Sequence, residues 1–92
     1  MNFNNYVNFF KRKKILITGN TGFVGSYLSL TLNLMKADIL GYSLKKKDLN
    51  YLSNTIEYKK KIRTIYDDIR NIELHKNTIK KFKPEILIHL AS

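Results

Sequence analysis

Ile15-Leu16-Ile17-Thr18-Gly19-Asn20-Thr21-Gly22-Phe23-Val24-Gly25 is the stretch on which the reading of this chain turns. An apolar run leads directly into three glycines spaced three apart. Each glycine has its own physical use. Gly19 permits a tight turn, Gly22 lets backbone approach a ligand, and Gly25 lets a helix pack closely on a strand. A helix opening here aims its unpaired N–H groups and the positive end of its dipole at the turn. The fitting ligand is an anion, and the strand–turn–helix setting suits a dinucleotide pyrophosphate. Gly19, Asn20, Thr21, Gly22, Phe23, Val24 and Gly25 are the candidate cradle. The bland alternative is that the glycines serve only a tight turn and close packing.

Working outward, Lys14 to Thr18 reads as a strand buried on both faces, because it is continuously apolar. Phe23 to Met35 reads as a helix with Val24, Leu28, Thr31, Leu32 and Met35 on one face. Ala37 to Tyr42 reads as a second strand, followed by the polar stretch Ser43 to Asn50, with a short helical turn expected over residues 48–55. Lys61 to Tyr66 reads as a third strand closed by Asp67-Asp68. Asn71 to Phe82 reads as a helix with Ile72, Ile79 and Phe82 inward, Asn71 as its N-cap and Glu73 in its first turn. Pro84 stops it, and Glu85 to His89 forms a fourth strand. Strands alternating with helices imply an α/β class: a Rossmann-like three-layer fold with a partial doubly wound parallel sheet of about four strands. A complete fold of this type needs about six. Residues 1–12 are therefore expected to be a poorly ordered lead-in, with Phe9 and Phe10 packing on the domain. Residues 13–92 are expected to be the front part of a dinucleotide-binding domain in a longer protein.

Composition removes several functions. The 92 residues include 17 Lys and Arg against 7 Asp and Glu, a formal charge of +10. In sequence the cations are scattered among Lys11 to Lys14, Lys45 to Lys47, Lys59 to Lys61 and Lys76 to Lys83, at element boundaries and on polar helix faces. Such positions are ordinarily solvated. Neither nucleic acid nor membrane is an expected partner. The chain has no cysteine, so disulfide and thiolate chemistry are excluded, in keeping with a cytoplasmic setting. Its apolar runs are far shorter than the roughly 20 residues that cross a bilayer. No metal-ligand pattern is present.

In parallel sheets ligands bind beyond the carboxyl ends of the strands. Besides the glycine turn, those ends here are Tyr42-Ser43, Asp67-Asp68-Ile69 and Leu90-Ala91-Ser92. Tyr42 and Ser43 are expected beside the adenosine ribose. NAD binders often carry Asp or Glu about 20 residues past the first glycines, a carboxylate absent here. Ser43 could donate to a ribose hydroxyl, while Lys45 to Lys47 could pair with a 2′-phosphate, so these residues leave NAD and NADP open. Asp68 is placed to accept from the adenine amino group with Ile69 against the ring, or alternatively to cap the turn or the following helix. Leu90, Ala91 and Ser92 border the cofactor, or form an ordinary strand end. His89 is expected to be a hydrogen-bonded structural histidine and His75 a solvated one. Tyr42 and Lys46 have Tyr-x-x-x-Lys spacing, but a working pair belongs on one helix face, so neither is assigned catalysis.

Thr18-Gly19-x-x-Gly22-Phe23-x-Gly25 resembles the glycine loop of extended short-chain dehydrogenases and nucleotide-sugar epimerases and dehydratases. Gly25-Ser26-Tyr27-Leu28-Ser29-Leu30, Gly41-Tyr42-Ser43-Leu44, Asp68-Ile69-Arg70, Phe82-Lys83-Pro84-Glu85-Ile86 and His89-Leu90-Ala91 make the chain similar to the CDP-glucose 4,6-dehydratases. Phe9-Phe10-Lys11 resembles their aromatic lead-in. Gly-Ser-Tyr-Leu is also similar to GDP-mannose dehydratases. Asn20 and Val24 stand where the CDP-glucose enzymes usually carry His and Lys. The resemblance implies tightly held NAD, with hydride leaving sugar C4, water lost across C5 and C6, and hydride returned to C6. It also implies a nucleotide-sugar substrate, a homo-oligomeric whole protein, and catalytic residues beyond Ser92. This chain would then hold the cofactor and be inactive alone. The competing readings are part of an NADP-dependent epimerase or reductase, and a non-catalytic nucleotide-binding module.

Overall fold

The computed structural model describes residues 2–44, 52–68 and 70–91. Four helices and four strands alternate: α1 (Phe3–Phe10), β1 (Lys14–Thr18), α2 (Phe23–Leu34), β2 (Asp38–Ser43), α3 (Ile56–Lys61), β3 (Arg63–Tyr66), α4 (Ile72–Phe82) and β4 (Ile86–His89). The strands form one sheet in the order β3-β2-β1-β4. Every pairing is parallel, with Ile15 against Ile39 and Ile86, and Leu40 against Arg63. The expected α/β class with four parallel strands is what the fold shows.

Alternation along the central strands builds two cores. Ile15, Ile17 and Ile39 point to one face, where Leu32 of α2 and Tyr58 of α3 cover them together with Ile62. Leu16, Leu40 and Tyr42 point to the other, where Phe82 of α4 packs. Ile15, Leu16 and Ile17 are 0 % exposed, and each such side chain contributes about 1.5–3 kcal/mol on burial. The apolar run at 15–17 is thus the centre of the molecule, which fixes the glycine turn directly above it.

Several local expectations are corrected. The segment read as a lead-in carries α1, capped by the Asn2 side chain accepting from the Asn5 amide at 3.0 Å. Phe10 rests on the core as expected, while Phe9 is exposed. The short helical turn expected at 48–55 falls in part on residues 45–51, which lie outside the described ones. Residues 52–54 form a turn in which Thr55 N–H donates to Leu52 O at 3.1 Å, and α3 follows at Ile56–Lys61, where Thr55 accepts from the Tyr58 amide. The inner face of α2 is Gly25, Ser26, Ser29 and Leu32, whereas Val24 and Thr31 are exposed. Large residues there would hold the helix off the turn, so small ones win over apolar periodicity. On α4 the inward residues are Leu74, His75, Thr78 and Phe82, and Ile72 points to solvent. Asn71 caps α4, and Glu73 lies in its first turn.

Candidate functional site

The glycine turn sits at the carboxyl end of β1, between the ends of β2 and β4. Gly19 has φ +75 and donates its N–H to Tyr42 O at 2.8 Å. A Cβ on Gly19 would lie 2.8 Å from Ala91 N and from the Leu90 carbonyl carbon, so the left-handed turn and the close approach of β4 both require glycine. Thr18 fastens that approach. Its Oγ1 bonds His89 Nδ1 at 2.6 Å and accepts from the Leu90 amide at 3.2 Å. His89 is hydrogen-bonded as expected, although its strand is only half-covered.

Gly25 is held as tightly from the other side. A Cβ there would meet Gly19 O at 2.1 Å and Asn20 Cα at 2.9 Å, so the first turn of α2 lies directly on the turn backbone. Gly22 differs. Its Cβ would have only an ordinary contact, 3.6 Å from Gly19 O. It is also the N-cap of α2, with extended backbone, no side-chain cap and no acid in the first turn. The first intrahelical bond runs from Ser26 N to Gly22 O at 2.9 Å. Phe23, Val24 and Gly25 therefore present N–H groups that have no partner within the helix. Open amides, a positive dipole end and a missing side chain converge at one spot, which fits a pyrophosphate.

Asn20 and Thr21 belong to the frame beneath the turn. Asn20 is 0 % exposed; its Nδ2 donates to Tyr58 Oη and to Thr64 Oγ1, both at 2.9 Å, and Tyr58 Oη donates to Asn20 O at 2.5 Å. Burial raises the Tyr58 hydroxyl above its ordinary value, while its bonds to Ser29 and Asn20 oppose that rise. The Asn20 side chain fills the space that a Cβ on Gly41 would occupy, 2.1 Å from Nδ2. Thr21 Oγ1 bonds Ser43 Oγ at 2.6 Å, and Ser53 Oγ donates to Thr21 O at 2.8 Å. Side chains of Asn20 and Thr21 thus face the protein, leaving their backbones as the candidate contacts.

The remaining candidates divide. Ser43 is drawn to the turn through Thr21, and Leu90 and Ala91 border Gly19. Phe23 and Val24 are exposed on the first turn of α2, with the Phe23 ring 5.3 Å from that of Tyr27. Tyr42 is 1 % exposed and packs in the second core, so its side chain is a wall and its carbonyl is what reaches the turn. Burial, and then the charges of Asp67 and Asp68, raise its hydroxyl above the ordinary value. His75, expected to be solvated, packs edge-on against the Tyr42 ring at 5.4 Å. The Asp68 carboxylate is gripped by Arg70, with Nη2 to Oδ2 at 2.6 Å. Ile69 and Ser92 lie outside the described residues, as does Lys46.

Sequence reasoning overlooked Thr18, Ser53, Tyr58 and Thr64. One signal was available. Gly41 in the middle of a strand marks the close approach of another group, and that group is the Asn20 amide.

A family model described as GDP-mannose 4,6 dehydratase matches residues 16–92. CDP-glucose 4,6-dehydratase from Salmonella typhimurium is 39% identical over 85 residues, which is 92% of this chain and 24% of that protein. The chain therefore spans about a quarter of that relative's length. Among solved structures, the epimerase Mth375 from Methanothermobacter thermautotrophicus matches with TM-score 0.75 at 23% identity, over 96% of this chain and 25% of the other. The dTDP-glucose 4,6-dehydratase from Bacillus anthracis, solved with NAD, matches with TM-score 0.73 at 21% identity, over 87% of this chain and 27% of the other. These two share the fold. With the glycine turn, the strand order and the family match in agreement, the chain belongs to the GDP-mannose 4,6 dehydratase family, as part of its nucleotide-sugar dehydratase and epimerase fold.

Proposed function

We propose that residues 13–92 are the NAD cradle of a nucleotide-sugar 4,6-dehydratase, and that this stretch binds cofactor without itself catalysing the reaction. One observation carries the reading: Gly22 has room for a side chain, caps a helix, and supplies neither side chain nor acid to that helix start. A chain selected only to fold would gain about a few tenths of a kcal/mol from a capping side chain there, and about 0.3–1 kcal/mol more from an acid in the first turn. A ligand that brings its own negative charge explains the omission.

In this reading the amides of Phe23, Val24 and Gly25 hold the diphosphate, and Ser43 and the Tyr42 backbone border the adenosine ribose. Asp68, kept in place by Arg70, and Ile69 flank the adenine, while Leu90, Ala91 and Ser92 line the approach to the nicotinamide. NAD bound there would supply a hydride acceptor and donor for the sugar. The chain's own part is to bind, orient and exclude water. The packing of Tyr42 in the second core supports a structural part for it and not proton transfer. NAD is favoured over NADP because the dTDP-glucose 4,6-dehydratase that shares this fold was solved with NAD, and because the resemblance to the CDP-glucose enzymes implies NAD. The whole protein would work in the cytoplasm as a homo-oligomer on a nucleotide-sugar substrate.

Calorimetric titration of the 92-residue chain with NAD and with NADP tests this. Saturable binding of NAD, tighter than that of NADP, is expected. A folded chain that takes up neither nucleotide would refute the cradle, and preference for NADP would move the assignment to the epimerase and reductase branch.

A further inference from the structure

The strands begin at the edge of the sheet opposite the glycine turn, and each helix that precedes a strand ends there. Residues 11–14, 36, 59–63 and 80–83 lie along that edge and hold twelve of the chain's 17 Lys and Arg. Cations that are scattered in sequence are gathered by the fold. All but Lys13 are exposed. Asp38 and Glu85 stand beside them, with Glu85 paired to Lys13 at 3.5 Å. Helix C-termini favour cations, yet each contributes only about half a negative charge. Four helix ends leave the edge strongly positive.

Backbone geometry argues that charge at this edge is retained against a local cost. Arg12, Lys36 and Lys83 have φ of 65, 69 and 53, positions following helices where glycine or asparagine is the comfortable residue. A side-chain-bearing residue there costs about 1 kcal/mol or more. A compositional surplus of lysine does not by itself explain that choice, because the chain also holds ten asparagines and none of them takes these three positions.

Two apolar features join the cations. Helix α1 buries no residue, and Phe3, Tyr6 and Phe9 are 61%, 43% and 58% exposed at three-residue spacing. Lys13 Nζ lies 5.5 Å from the Phe9 ring centre, so the aromatic face runs into the basic edge. Between β3 and α4 there is a cleft of about 520 Å³, lined by the apolar Leu40, Leu74 and Phe82 and by four charged residues, Lys14, Arg63, Lys81 and Asp38. An apolar lining beside three cations and one acid suits an acyl chain beneath an anionic headgroup.

We propose that this edge docks on an anionic membrane surface, with the cations on lipid phosphates, the α1 rings at the headgroup boundary, and one lipid in the α4–β3 cleft. Interfacial helices combine aromatic residues with cations in this way, and each juxtamembrane Lys or Arg adds to the attraction. Among the described residues no helix is long and apolar enough to cross a membrane, so the contact is peripheral. It departs from the expectation of no membrane partner, which rested on the scatter of the cations along the sequence and on the shortness of the apolar runs. A DNA duplex would engage the cations but offer the cleft lining and the rings no apolar medium.

Sedimentation of the 92-residue chain with vesicles of phosphatidylcholine and phosphatidylglycerol, beside phosphatidylcholine alone and DNA of equal phosphate content, tests the proposal. Binding to the anionic vesicles, weakened by salt, is expected. R12G/K36G/K83G relieves three left-handed residues, so it should fold at least as stably while losing about tenfold or more in vesicle affinity. F3S/F9S, altering a helix with no buried residue, should weaken vesicle binding several-fold and leave DNA retention unchanged. Vesicle binding untouched by both variants overturns the proposal, as does DNA retention without vesicle binding.

Discussion

Helices α2 and α4 both start beyond the carboxyl end of a parallel strand, but the chain treats the two starts in opposite ways. At α4, Asn71 accepts from the Leu74 amide at 3.3 Å and Glu73 sits in the first turn. That helix start satisfies itself and repels anions. At α2, Gly22 caps with backbone alone, and the first turn has no acid. The difference shows that a helix start becomes an anion site when the sequence withholds the groups that would otherwise stabilise it. Both helices have the same dipole, so the dipole alone does not choose the site.

The contrast can be broken most severely at Gly25. Gly25→Ala forces a Cβ to 2.1 Å from Gly19 O, and backbone cannot yield as a flexible side chain would. A loss of about 3 kcal/mol or more in thermal or urea unfolding is expected, with cofactor binding lost alongside. Gly22→Asp sharpens the contrast instead, by making α2 start as α4 does. The space at Gly22 admits a side chain, so stability should rise by about 0.5–1 kcal/mol while NAD affinity falls about a hundredfold. Calorimetry and thermal melting on one sample separate the two effects. Asn71→Ala removes the cap of α4 and should cost about 1 kcal/mol without altering NAD affinity. If it weakened NAD binding as much as Gly22→Asp, the two helix starts would not be functionally distinct.

The smallest effect expected is alkaline. Tyr42 and Tyr58 are both raised above the ordinary value of 10.0 by burial. The folded state therefore holds their protons more firmly than the unfolded chain. Their contribution is fully present below pH 10.0 and declines as pH rises through the folded values. Urea midpoints that stayed flat across that window would show that neither hydroxyl is buried in solution.

Much of this contrast was legible in the residues. Three glycines after Ile15-Leu16-Ile17 located the turn, and Asn71 with Glu73 located the capped start of α4. What the residues hid were pairings remote along the chain. Asn20 reads as a loop residue, yet it reaches Tyr58 and Thr64, 38 and 44 positions away. Ile72, Ile79 and Phe82 read as core by periodicity, yet only Phe82 of the three is buried, and Leu74 and Thr78 face the sheet beside it. Apolar spacing defines a stripe, and a four-stranded sheet offers α4 only a narrow surface to cover. Of the polar stretch Ser43 to Asn50 and the helical turn expected at 48–55, residues 45–51 lie outside the described ones.

By itself the sequence determined the α/β alternation, the strand–turn–helix unit and the residues able to stand aside for an anion, because those are short-range properties of backbone and side-chain size. Only the tertiary structure decided that Gly19 and Gly25 are demanded by packing while Gly22 is not. It also decided that cations distant in sequence share one edge. Both follow from the parallel arrangement, which brings every strand end with its turn to one side of the sheet and every helix end to the other.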